Sequence, residues 1–418
     1  MKSLLNLSRN PVPAVLLQVT AWHSEAGTQP SSPAFEENLL QKNTTITSPA
    51  APQAPTAPPE PVVNQAVAVE PFTVFATLSR GEPAPQWLSR EVTSAWGLDP
   101  SRTQLALIAV SENATFRVDV DARPHAVLRV HRPGYVDPAQ IRSELQWVRA
   151  LGADVDISVP EVVPRVDGAL LHTFSRDSVD GAPAGEAPWH MVAFAFVQGA
   201  VLEDIIDVLP DPSSYYRRIG RATAEFHGHA ENWQPPSGFD RFQWRVQDMI
   251  GRSSRWGDWR AAPMQAQQHQ ALHAAEAAAV REVQLSAPRR RGWGLIHADL
   301  RPSNIMMHHD RLTVIDFDDC GYGWFLYDFA AALSFIEHEP YARRIAHEWI
   351  IGYRSVRELT ADDVRFACAL SMLRRLTMLG WTTTHRRDAL PPEIWDAQLP
   401  GAVEVAQRYL ESPTWLLD

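Results

Sequence analysis

The segment that most limits how this chain can fold runs Gly294-Leu295-Ile296-His297-Ala298-Asp299-Leu300-Arg301-Pro302-Ser303-Asn304-Ile305, and is followed by Leu312-Thr313-Val314-Ile315-Asp316-Phe317-Asp318. Apolar, β-like runs bracket a polar loop, and a carboxylate closes the second run. His297, Asp299 and Asn304 are spaced H-x-D-x-x-x-x-N, and Asp316 follows at the end of an apolar stretch. A fold that accepts this segment must anchor a polar loop between strands and bring Asp316 close to it. A zinc-type hydrolytic centre is the weaker reading, because His308-His309 and His297 have no matching His-rich partner motif.

The rest of the chain divides around that segment. From Ser31 to about Val69 the composition shifts to Pro, Ala, Thr, Ser and Gln, which cannot bury enough apolar surface to offset ordering entropy. Residues 1–70 are therefore expected to form a disordered tail. LALIAV, ATFRVDV and HAVLRV, between about Leu105 and Val130, read as an antiparallel meander with turns at Glu112-Asn113 and Asp121-Ala122-Arg123-Pro124. Ile141, Leu145 and Val148 then recur at helical spacing, and GALLHTF and HMVAFAF add two strands. From Tyr215 the pattern is largely helical, with an apolar stripe of Ile219, Ala222, Thr223 and Phe226, and an Ala-rich helix in QQHQALHAAEAAAVREV. A further helical stretch runs from Leu326 to about Arg354. The fold class is α+β: a small antiparallel sheet lobe over 71–197, then a large helical lobe over 198–418, with the catalytic loops on a hairpin between helices.

The chemistry follows from the residue types. Phosphoryl transfer to an alcohol needs a carboxylate to accept or orient the hydroxyl proton, and oxygen ligands that hold Mg²⁺ against nucleotide phosphates. Asp299, Asn304 and Asp316 supply such groups. Here the segment resembles the protein-kinase-like fold, and most closely its aminoglycoside phosphotransferase branch, which includes homoserine kinase type II, choline kinases and bacterial stress response kinases. The resemblance covers about Phe72 to the C-terminus. It implies a bilobal fold and ATP with Mg²⁺ as cofactors. It makes Asp299 the catalytic base, and Asn304 and Asp316 the metal ligands, with Asp316-Phe317-Asp318 in place of the kinase D-F-G. Arg301 stands where protein kinases carry a Lys on the transferred phosphate, so a γ-phosphate role is one reading and a solvated loop charge the other. His297 resembles the family's backbone-organising histidine. Asp328, in YDFAAAL, is explained by N-capping.

The resemblance also points to a nucleotide side. Ser111 and Asn113 lie in the turn where kinases place a phosphate-covering loop, although no glycine occurs there and no Walker A or G-x-G-x-x-G precedes the catalytic motif. The family's third-strand Lys is replaced by Arg129, with Glu144 as its helix partner. Arg grips phosphate bidentately but with a different shape. The strand ending at Phe196, followed by Val197-Gln198-Gly199, is the expected adenine hinge. Trp256, Gly257 and Trp259 could form an aromatic substrate box, but core packing is the simpler account, as it is for His227, His229 and His385; Glu225 reads as a solvated face.

Two acceptor classes fit: a hydroxyl on a small metabolite or drug, with an amine-bearing one as an option, or Ser/Thr of a protein. DLRPSN is close to the D-L-K-P-x-N of protein kinases. However, the interval from Asp316 to Asp328 is short, no A-P-E closes it, and Ala298 stands where regulated kinases have the Arg of H-R-D. The small molecule is therefore preferred. A pseudokinase is a third reading, supported by Arg129 and the glycine-free turn. A formal charge of -11 argues against a nucleic-acid partner. No apolar run is long enough to span a membrane, and the interrupted start MKSLLNLSRNPVPAVLLQVTAW does not make an export signal. Cys320 and Cys368 form no pair or ligand spacing, so the expected location is the cytoplasm.

Overall fold

The computed structural model describes residues 74–75, 77–110, 113–175, 188–286, 292–384 and 391–418. The expected tail over 1–70, Ser111 and His385 lie outside these residues. Helix α1 (Gln86–Trp96) precedes the meander β1 (Thr103–Val110), β2 (Asn113–Val120) and β3 (Arg123–His131). The β2–β3 connection is two residues, Asp121 and Ala122, both at positive φ, the geometry whose twist matches a tight hairpin. Helix α2 (Pro138–Asp154) follows, capped by the Asp137 side chain and opened by Pro138. Strands β4 (Val162–Val163), β5 (His172–Phe174) and β6 (Trp189–Ala195) complete an antiparallel sheet of order β1-β2-β3-β6-β4, with β5 also on β6.

The sheet separates two apolar clusters, and strand alternation sorts β6 between them. Met191 and Ala193 join Leu88, Phe116 and Phe75 on the α1 side, whereas Val192 joins Ile141, Leu145 and Val148 of α2 on the other. Downstream come β7 (Ala200–Val201), α3 (Leu202–Ile205), α4 (Pro212–Asn232), β8 (Gln243–Trp244), α5 (Val246–Ile250) and α6 (Ala266–Ser286). The catalytic segment supplies β9 (Trp293–Ile296), β10 (Ile305–His308), β11 (Arg311–Val314) and β12 (Gly321–Trp324). Helices α7 (Tyr327–Ala332), α8 (Ala342–Arg354), α9 (Ala361–Thr384), α10 (Pro392–Asp396) and α11 (Gln398–Glu411) close the chain. The α+β class holds.

Two local expectations are corrected. The two apolar runs of the catalytic segment do not pair with each other: β9 pairs with β12, and β11 pairs with β10, which also meets β7. The polar loop therefore joins two small sheets instead of turning one hairpin. The second run leaves strand geometry after Val314, and Asp316 lies two residues beyond at φ 61. The helical stretch from Leu326 is also two helices, α7 and α8. In the larger cluster α9 is buried almost all round from Phe366 to Gly380, the pattern of a central helix.

Candidate active site

The polar loop hangs its backbone N–H groups on a buried carboxylate. Asp328, fully buried in the first turn of α7, accepts from the His297 N–H (3.1 Å) and the Ala298 N–H (2.6 Å). It also accepts from His227 Nε2 at 3.0 Å. The helix's own N-cap is Leu326, with no side-chain cap, so N-capping does not explain Asp328. It holds the loop, including Ala298 at φ 67. His297 spans the other side: its Nε2 lies 3.1 Å from the Ile315 carbonyl, and its Nδ1 accepts from the Asp299 N–H at 3.3 Å. These partners require an Nε2–H, neutral ring. Burial lowers the His297 pKa, against the pull of Asp328 and Asp299, which keeps it in that form. The histidine couples the loop to the Asp316 segment, as expected of a structural residue.

Asp299 is the centre of this arrangement. Its Oδ1 accepts from Arg374 Nη2 at 2.6 Å, and its Oδ2 accepts from Asn304 Nδ2 at 2.8 Å and from Arg301 Nε at 3.4 Å. The Asn304 amide nitrogen is also 2.9 Å from the Asp299 carbonyl, leaving its amide oxygen as the group able to face a cation. Asp299 remains 17% exposed, enough for a small partner to approach. Asp316, released from the strand by its positive φ, is 53% exposed. Phe317 beside it is buried against His297, Trp147 and Phe226, which fixes the segment.

Facing Asp316 is the Arg129–Glu144 pair. Arg129 Nη2 lies 2.5 Å from Glu144 Oε1, as the sequence led us to expect, and Nη1 lies 3.5 Å from Asp316 Oδ1 and 3.9 Å from Asp318 Oδ1. Burial pushes the Arg129 pKa down, but the three carboxylates raise it further, so the guanidinium stays charged. Burial pushes the Asp318 carboxyl up, and Arg129, His131 and Arg241 outweigh it, holding it at about 2. Asn113 donates to Asp318 Oδ2 at 2.9 Å, so its side chain serves the protein scaffold here. Phe196 sits just past the end of β6 and is half-buried, its N–H bonded to the His125 carbonyl.

Arg301 is not a solvated loop charge. It is partly buried, 3.6 Å from Glu203 Oε1 and over the Phe335 ring. Trp256 and Trp259 are buried, as the core-packing account requires, and Trp256 stacks under Arg374 with 4.8 Å from guanidinium carbon to ring centroid. His227 and His229 are taken up by Asp328 and Asp154, and Glu225 by Arg221.

Arg374, Asp318 and Arg241 were not assigned a role from sequence. Arg374 is fully buried and donates to Asp299, the Ala298 carbonyl (3.0 Å), Ser334 Oγ (2.9 Å) and Tyr327 Oη (3.2 Å). Its signal was a pair of arginines inside the apolar stretch CALSMLRRLTML, since charges buried on a helix must find partners. Arg241 joins the Cys320 carbonyl (2.6 Å), the Gln140 carbonyl (3.0 Å) and the Asp318 carbonyl, tying α2 to the acidic turn. Among the described residues no group of three or more His, Cys, Asp or Glu is placed to hold a metal. Asn304 and Asp316 suit Mg²⁺, which takes few protein oxygens and completes its shell from phosphates and water.

Comparison with known proteins places the chain among phosphotransferases. Residues 105–359 match the phosphotransferase enzyme family. A homoserine kinase of Sinorhizobium fredii is 30% identical over 268 residues, 63% of this chain and 72% of that protein. The structure of a microcompartment-associated aminopropanol kinase superposes with a TM-score of 0.66 at 36% identity, covering 78% of this chain and 98% of that one. An amicoumacin kinase in complex with AMP-PNP and Ca²⁺ shares the fold, with a TM-score of 0.60 at 18% identity over 80% of this chain and 95% of its own.

Proposed function

The chain belongs to the phosphotransferase enzyme family, and from that premise we propose that it transfers the γ-phosphoryl group of ATP, with Mg²⁺, to the hydroxyl of a small amino-bearing alcohol. The observation that carries the mechanism is the pair Asp299 and Asp316, two carboxylates on segments locked together through His297, with the Arg129–Glu144 pair opposite. In this reading residues 71–197 carry the nucleotide and residues 198–418 the acceptor.

The acceptor hydroxyl approaches the exposed edge of Asp299, which orients it and takes its proton as the oxygen forms a bond to the γ-phosphorus. The bond from that phosphorus to the ADP oxygen breaks in the same displacement. Arg374 and Asn304 fix both carboxylate oxygens, so the base is aimed before the acceptor arrives. Bound Mg²⁺ would neutralise charge on the phosphates. Asn304 and Asp316 would hold it, Arg129 would face the phosphates, and Arg301 is close enough to the base to meet the transferred group. The backbone after β6 at Phe196 lines the adenine pocket. The start of β2 at Asn113 would lie toward the phosphates, its side chain committed to Asp318, and Ser111 lies outside the described residues.

The amine is supported by two relatives whose substrates, by their names, are amino alcohols. No helix among the described residues is long and apolar enough to cross a membrane. We place the enzyme in the cytoplasm, where ATP is at hand, and the buried thiols of Cys320 and Cys368, both pushed up to about 12 by burial, suit that location.

The test is an acceptor panel with the full chain, Mg²⁺ and ATP, read by ADP release and by the mass of the product. Amino alcohols should be phosphorylated, and the same alcohols lacking the amine should react at least about tenfold less efficiently, the scale of one lost charged contact. Phosphorylation confined to protein substrates, or ATP binding with no turnover on any acceptor, would overturn the reading.

A further inference from the structure

We propose that Asp318 is a positioning residue for nucleotide binding: it shares the charge of Arg129 and thereby leaves Asp316 to the metal. The inference rests on the nucleotide site just described. Two departures from the kinase pattern, Arg129 where the family usually has Lys and Asp318 where D-F-G has its glycine, are far apart in sequence yet meet in space.

Their meeting has a physical reason. A guanidinium is a planar fork with five N–H donors, and an isolated carboxylate in front of it is gripped bidentately. Arg129 gives Nη2 to Glu144 and turns Nη1 toward the Asp316 segment. With Asp316 alone there, Arg129 would settle onto that carboxylate and compete with any cation for it. Asp318 Oδ1, at 3.9 Å from the same nitrogen, divides the interaction, and the Asp316 contact stays long at 3.5 Å.

Asp318 is itself fixed. Asn113 donates to its Oδ2 at 2.9 Å, Arg241 donates to its carbonyl, and its side chain is only 15% exposed while that of Asp316 is 53% exposed. The two carboxylates of this short segment thus share one nitrogen of Arg129 but differ in exposure: Asp318 is packed into the protein, and Asp316 is open to the cleft. Three carboxylates face the Arg129 guanidinium, and even with Arg241 beside Asp318 the cluster keeps a net negative charge, which suits a cation. The Asn113 contact also pins the start of β2 to the segment that carries Asp316 and Asp318.

The experiment is a double-mutant cycle on the full chain, using Arg129→Lys, Asp318→Asn and the pair. The readout is the dissociation constant of a non-hydrolysable ATP analogue, measured with Mg²⁺ and with EDTA. Asp318→Asn keeps an acceptor for Asn113 and removes only the charge. It should weaken Mg²⁺–nucleotide binding about tenfold or more while changing metal-free binding and the acceptor KM by at most about twofold. Arg129→Lys leaves a single nitrogen and no fork, so the double variant should bind Mg²⁺–nucleotide at least about fivefold better than the product of the two single effects implies. Additive effects, or equal loss with Mg²⁺ and with EDTA, would overturn the proposal. If Asp318→Asn does not fold, Asp318→Glu decides: retained Mg²⁺ preference supports the charge role, and its loss refutes it. Wild-type protein that binds no Mg²⁺–nucleotide would instead sink the functional reading itself.

Discussion

Asp299 owes its position to a residue 75 places downstream. The buried Arg374 holds one carboxylate oxygen while Asn304 and Arg301 hold the other, so the carboxylate cannot rotate away from the cleft. We expect Arg374→Gln to lower kcat by about 10–100-fold, since misaiming a catalytic group by an ångström costs on that scale, and to leave Mg²⁺–ATP affinity within about twofold. The same change breaks a buried pair and should lower unfolding free energy by about 3–5 kcal/mol, measurable by denaturant titration beside the kinetics. Loss of ATP affinity in step with kcat would show that Arg374 supports the site as a whole. At this scale much was legible: Asn304 donates to Asp299, the Asn304 carbonyl accepts from the Ile315 N–H beside Asp316, and Arg129 meets Glu144. Arg374 was not, because its meaning depends on which helix packs under the loop, and Asp328 was misjudged because a helix-start Asp reads as a cap until its acceptors are seen.

The strands and helices show why some boundaries could be read and others not. The meander's alternation is a local property and its strands appear where the sequence placed them, although the second turn is only Asp121-Ala122 and the expected turn residues Arg123 and Pro124 belong to β3. The pairing of β9 with β12, 25 or more residues apart at their closest register, is set by tertiary contacts that no local pattern records. Helices α4 and α8 give a sharper case. A Cβ at Gly220 would overlap the Trp349 carbonyl, and one at Gly352 would overlap the Arg217 carbonyl, so the two backbones touch through paired glycines. Gly220→Ala and Gly352→Ala should each destabilise the protein by about 1–3 kcal/mol despite the better helix propensity of Ala, because the helices must part. Thermal unfolding checks this, and a neutral or stabilising result would mean the helices are not so close. Since α4 also carries His227, which supports Asp328, activity should fall as well.

The whole molecule is an antiparallel sheet and a helical body that meet at one acidic seam, where Arg129 faces Asp316 and Asp318. Periodicity already divided it into a small sheet lobe and a large helical lobe, and the resemblance carried by the catalytic segment implied the bilobal kinase-like arrangement. Its stability should depend on pH through buried histidines. Burial lowers the pKa of His131 to about 3 and also lowers those of His227 and His297, below the ordinary 6.5. The unfolded chain takes up protons that the folded chain refuses as pH falls below about 6.5, so stability is full above that value and is lost progressively toward acid. The thermal midpoint should be flat from about pH 8 to 7 and fall by pH 5, and a rise over that interval would contradict the neutral, buried rings. The role of Asp299 as the base is tested most directly by Asp299→Asn, assayed for ADP release at saturating amino alcohol and for Mg²⁺–ATP binding. A base in that position predicts a loss of turnover of about 10²–10⁴-fold with nucleotide affinity retained. Turnover at the wild-type rate would contradict it.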